Sequence, residues 1–109
     1  ITMNTLLEQV LSETDIDFYF LERPVDVFPC IVYTYNEYMN TMGDNKEEST
    51  RYDIYLNLYV KENIFDTIEK IKDVMNEHYF KKNIINAPVK FDNTDYYQVT
   101  FSYSKILSK

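Results

Sequence analysis

Glycine occurs once, cysteine once, histidine once, proline three times and tryptophan not at all in this chain of 109 residues. A lone glycine excludes the Gly-rich loops that cradle phosphates and the strand-to-helix elbow that presents a nucleophilic serine. A single cysteine, Cys30, cannot form an internal bridge; it lies in an apolar run where a small buried thiol is expected, and it points to a reducing compartment. The one histidine, His78, rules out a two-histidine or multi-histidine metal site and a triad built on a second histidine. No apolar run approaches the roughly 20 residues of a membrane span, and the N-terminus lacks the basic-then-apolar pattern of a signal peptide. Basic residues are also in deficit, 11 Lys and Arg against 18 Asp and Glu, for a formal charge of −7. That balance argues against a generic binder of nucleic acid or anionic membrane, which gains affinity by releasing counterions with Lys and Arg.

Aromatic residues, by contrast, are plentiful: 11 Tyr and 7 Phe. Tyrosine pairs a rigid apolar ring with a polar tip and suits broad strands and contact surfaces. Residues 51–61 alternate strictly. Tyr52, Ile54, Leu56, Leu58 and Val60 share one face of a strand, with Asp53, Tyr55, Asn57 and Tyr59 on the other. After a short break, Asn63 as N-cap with Asp66 three residues on predicts a helix running to about residue 79. Ile64, Ile68, Ile71 and Met75 form its stripe, widened by Phe65, Val74 and Tyr79.

The remaining elements follow from the same periodicities. Residues 4–13 predict a helix with Leu6, Leu7, Val10 and Leu11 on one face and a Thr5-x-x-Glu8 capping box. Ile1 and Thr2 precede Met3, which reads as a native start, so they receive no functional weight and a single domain is assigned to 3–109. Residues 17–22 and 30–38 predict two strands bracketing a Pro24 and Pro29 loop. Residues 39–49 hold the only glycine and a charged run without periodicity, and are expected to be a long hairpin loop with a mobile tip. Residues 81–86 are expected to be a linker and 87–91 a short edge strand beginning at Pro88. Residues 96–106 predict a last long strand, with Tyr97, Val99, Phe101 and Tyr103 inward and Gln98, Thr100, Ser102 and Ser104 outward. The order helix, strand, strand, strand, helix, strand, strand describes an α+β domain. Its mainly antiparallel sheet of four to five strands carries both helices on one face.

No catalytic constellation accompanies this scaffold. His78 ends a helix, where a solvated or dipole-interacting role is usual, and nothing in the spacing joins it to Cys30 as a nucleophile pair. Asp92 and Asp95 lack the ligand spacing and distant bidentate Glu of a calcium loop and read as a turn. The chain is expected not to be an enzyme and to need no cofactor or metal. The surplus feature is tyrosine and methionine on faces expected to be wet. Tyr38, Met39, Met42, Glu47, Glu48, Tyr55 and Tyr59 are the candidate contact residues, because Tyr and Met are enriched where partners dock. The alternative for the tyrosine face is burial under a helix or an edge segment.

Pro29 leading into Cys30-Ile31-Val32-Tyr33, the 39–49 hairpin, the alternating 51–60 strand and the helix behind it together resemble the small tail-terminator or tail-completion proteins of tailed bacteriophages and prophages. The likeness covers most of the chain as a pattern of elements and lengths. It implies a structural protein that caps the tail tube as a ring, commonly a hexamer, and joins it to a head-side connector protein. Such a protein is made in the bacterial host cytoplasm and carried in the virion tail. A ring of six would carry about six times −7, an acidic lumen through which DNA passes without specific binding. Two other classes stay open: a small acidic binding module or DNA-mimicking inhibitor of a basic partner, and a small enzyme with a pocket gathering Cys30, His78 or paired acids.

Overall fold

Seven elements follow one another in the expected order in the computed structural model, which describes residues 2–43 and 46–108 apart from the side chain of Glu47. They are α1 (Met3–Ser12), β1 (Asp17–Phe20), β2 (Cys30–Gly43), β3 (Lys46–Val60), α2 (Ile64–Glu77), β4 (Lys81–Ile85) and β5 (Tyr97–Ser108). The strands form one sheet in the order β1-β2-β3-β5-β4. β1 runs parallel to β2, and every other neighbouring pair is antiparallel. The fold is α+β.

Alternation along β3 builds the core. Ile54, Leu56, Leu58 and Val60 are buried, and the register sets Tyr33 and Phe101 to either side of Leu56, and Ile31 and Val99 to either side of Leu58. Met3, Leu7, Val10 and Leu11 of α1 and Ile68, Ile71, Val74 and Met75 of α2 close over this layer in one cluster, so both helices cover the same face. Truncating a fully buried aliphatic residue such as Ile71 to alanine costs about 2–5 kcal/mol. The Tyr33 hydroxyl adds a polar tie, donating to Asn4 Oδ1 at 3.0 Å on α1.

Several boundaries differ from the sequence-based expectations, each for a local reason. α1 starts earlier: Thr2 is its N-cap, and its hydroxyl accepts from the Thr5 amide at 3.2 Å. Thr2 therefore has a structural role, and Thr5 with Glu8 does not form the expected capping box. Asn63 sits at the N-cap of α2 but in a left-handed conformation, without a side-chain cap. Phe65 and Tyr79 do not widen the α2 stripe; they are 70% and 86% exposed. At the end of α2, the Phe80 amide donates to the Met75 carbonyl and the Tyr79 amide to that of Asn76. This is a Schellman motif with Tyr79 in the left-handed position, and it swings Tyr79 outward and buries Phe80 in its place.

The expected 39–49 loop is mostly strand. Met39 pairs with Thr50, Thr41 with Ser49, Met42 with Glu47 and Gly43 with Lys46, and register shifts flank Thr41. A bulge changes the phase of alternation, so a paired segment can lack period-two patterning. Ser49 is buried and accepts the Asn40 amide at 2.9 Å, with the Thr41 hydroxyl 2.7 Å away. Of the expected glycine turn, Asp44 and Asn45 lie outside the described residues. Likewise, the 81–86 linker is β4, an edge strand whose alternation is hidden by a register shift between Lys82 and Ile84. The expected 87–91 strand reduces to a single bridge between Val89 and Gln98.

The scarcity of glycine is met by other residues. Asp15, Asp26, Asn63 and Asn93 adopt positive φ, as Asn and Asp do most readily. Leu21 and Tyr79 do so as well, at greater cost.

Candidate interface surface

The sheet face opposite the helices carries Tyr38, Tyr55 and Tyr59, whereas Met39, paired with Thr50, lies in the phase of the core face, so the contact residues expected from sequence do not form one patch. At one end, Tyr59 is covered. The Arg23 guanidinium lies 4.2 Å from the centre of its ring and 4.3 Å from that of Tyr96, and donates to the Tyr96 hydroxyl at 2.8 Å. Phe28 stacks on Tyr96 at 5.1 Å, and the Lys61 ammonium stands 4.7 Å from the Phe28 ring. Lys61 also pairs with Asp95 at 3.0 Å, which holds that carboxyl below its ordinary pKa. Burial pushes the Tyr59 hydroxyl up, against the opposing pull of Arg23. The 21–29 and 86–96 segments thus clasp this end of the sheet, and Tyr59 belongs to the clasp. Cation–π contacts of this kind contribute about 0.5–2 kcal/mol each, according to their burial.

In the middle of the face lies Tyr55, half-buried between Thr34 and Ser102. Its neighbour two residues on, Asn57, accepts from Thr100 at 2.9 Å and from Gln98 at 3.3 Å, so the polar row is internally bonded. At the far end, Tyr38 and Ile106 flank Arg51 across β2, β3 and β5. Arg51 lies over the Tyr38 ring at 5.0 Å and pairs with Asp53 at 3.0 Å. Tyr38, Met39, Met42 and Ile106 are all exposed, and so is Glu48. The side chain of Glu47 lies outside the described residues. Arg51 and Tyr59 stand eight residues apart on β3, roughly 26 Å at the rise of an extended strand.

Ile106 was missed by the sequence reading. The alternation that sets Gln98, Thr100, Ser102 and Ser104 outward simply continues to it.

The bare margin of β2 is the other feature of this region. β1 pairs only with Cys30 to Tyr33, and among the described residues no strand lies on that side of β2 from Thr34 to Gly43, the other side being paired with β3. On the helix side of this stretch, Tyr35 meets Tyr52 edge to face at 5.7 Å, and the Tyr52 hydroxyl donates to Glu37 at 2.9 Å. Tyr35, Glu37, Tyr52 and Leu107 line an open groove there, which continues the core face beyond the helices.

Cys30 and His78 are far apart. Cys30 is fully buried opposite Tyr59, and burial raises its thiol pKa, which disfavours a thiolate. The His78 carbonyl accepts from Lys105, which pairs with Tyr52. Seven residues of β3 separate Tyr52 from Tyr59, roughly 23 Å. The His78 ring instead meets Glu13 at 2.6 Å, joining the ends of the two helices. Acidic residues are spread over helices, loops and strands, several beside a cation: Asp15 with Lys70, Asp53 with Arg51, Glu69 with Lys72. Among the described residues, no three His, Cys, Asp or Glu side chains gather to hold a metal. No helix among them is long and apolar enough to cross a membrane. A scan against protein-family models and a search of curated proteins both return no match.

Proposed function

We propose that this chain is a structural protein of the tail-terminator type, assembling as a ring that caps a phage tail tube and presents a joint to the head-side connector. One observation carries the proposal beyond the resemblance. The hairpin end of β2 and β3 forms an arm, two-stranded only beyond Ser49 where β5 stops, with Tyr38, Met39 and Met42 exposed on it and one margin bare. Such an arm buries little within its own chain, and its side chains are of the kinds that fill interface cores. A sheet with two free margins also supplies the two different surfaces that a head-to-tail ring requires. The tail tube protein and the connector are then the partners, and the protein passes from the host cytoplasm into the virion. Electron microscopy of the purified protein incubated with isolated tail tubes tests this. Rings or capped tube ends are expected; a persistent monomer that leaves every tube end bare overturns it.

A further inference from the structure

The two margins of the sheet match one another in height, direction and charge. From β4, the register runs across the sheet: Lys81 to Ser104, Ser104 to Asp53, Asp53 to Asn36. Ile85 leads in the same way through Phe101 and Leu56 to Tyr33. β4 therefore stands level with residues 33–36 of β2, the point where β1 stops and the bare margin begins. Three antiparallel steps separate the two strands, so β4 runs antiparallel to β2. A copy displaced sideways by the width of the sheet, in the same orientation, brings its β4 beside that bare margin.

The backbone is presented for such pairing. The Leu21 amide donates to the Tyr33 carbonyl from the β1 side. Successive residues of a strand aim their peptide groups to alternate sides, so Tyr35, Glu37 and Met39 turn theirs outward as Tyr33 does. Charge agrees. The bare stretch of β2 holds no Lys or Arg and carries Glu37, with Asp17 on adjoining β1; β4 holds no acid and carries Lys81 and Lys82. All four side chains are exposed. Lys82, opposite Tyr103, and Glu37, opposite Tyr52, lie on the same face of the sheet. Lys82 is level with Tyr35, two residues from Glu37, a diagonal that long side chains span. Exposed Ile84 and Phe20 add apolar surface to opposite margins.

The geometry points to a second copy of this chain as the occupant of the β2 margin, joined through its β4 by antiparallel strand pairing with Lys82 facing Glu37. The contact is heterologous, and repetition of it closes a ring where the rotation between copies permits. It rests on the ring proposed above and names the surfaces that make it.

Light scattering from micromolar to millimolar concentration reads the assembly, with circular dichroism to establish that each variant is folded. Glu37→Lys alone and Lys82→Glu alone set like charges together and are expected to weaken association by roughly tenfold or more. Both substitutions in one chain restore opposite charges and recover assembly. Hydrogen exchange adds a backbone readout: the Tyr35 and Glu37 amides slow on assembly of the unmodified protein. If both single variants assemble as the unmodified chain does, or the combined variant fails to recover, strand pairing at this margin is overturned while the ring stands. A chain that stays monomeric throughout also overturns the pairing, and tube-end capping decides the ring separately.

Discussion

Tyr103 carries its hydroxyl into the core, where that oxygen is buried with no hydrogen-bond partner among the described residues. Burial alone pushes its pKa from 10.0 up to about 12. Ionisation is thus easier in the unfolded chain. The stability tied to the neutral phenol is complete below pH 10 and is lost as the pH rises toward 12, a loss on the order of 2 kcal/mol. Tyr103→Phe removes the orphaned hydroxyl and keeps the ring. It is expected to be about 1 kcal/mol more stable at neutral pH. Urea titrations at neutral and strongly alkaline pH compare the two proteins, and the gap between their midpoints should widen in favour of the phenylalanine variant as the pH passes 10. Burial at position 103 was legible from alternation. The missing partner was not, because it depends on which side chains α2 and β4 bring against the ring.

Among the elements, α2 shows how a helix end decides which aromatic residue is core. Spacing alone favours Tyr79, but the left-handed turn at that position advances the chain so that Phe80 meets Met75 inside. A non-glycine residue at positive φ carries strain that glycine does not. Tyr79→Gly is therefore expected to stabilise the domain by about 1 kcal/mol, measured as a rise in the urea midpoint with an unchanged slope. β3, β5 and the α2 stripe were legible because their periods run unbroken over many residues. β4 and the outer parts of β2 and β3 were not, since register shifts interrupt the pattern where backbone pairing, rather than burial, holds the strands together. The parallel placement of β1 was likewise hidden, because it depends on how the 21–29 segment folds back.

At the scale of the molecule, the arm sets the shape. The Cα radius of gyration is 15.1 Å, against about 13 Å for a compact domain of this length. The molecule extends 54 × 25 × 21 Å, and a strand as long as β3, 15 residues, spans about 50 Å by itself. Met39 and Met42 lie on the part of this length that the helices do not cover. Replacing both with aspartate is expected to shift unfolding by no more than about 0.5 kcal/mol while preventing tube-end capping, a contrast that chemical denaturation and microscopy resolve together. Of the expected contact surface, Tyr38, Met39, Met42 and Glu48 are exposed on the arm, and Tyr55 remains half-exposed on the open face. Tyr59 was misplaced because its cover, Arg23 with Phe28 and Tyr96, comes from loops distant in sequence and without periodicity.

The alignment of β2, β3 and β5 along the 54 Å axis has a mechanical consequence. Ladder hydrogen bonds lie across the strands, so tension applied lengthwise at the arm, where β2 and β3 move together, loads the β3–β5 ladder in shear, with its bonds sharing the force. Traction that draws the arm sideways from β5 opens those bonds one after another from Ser49 and Ser108, as a zipper does. In the proposed ring, the arm would therefore hold strongly in one direction and weakly in another.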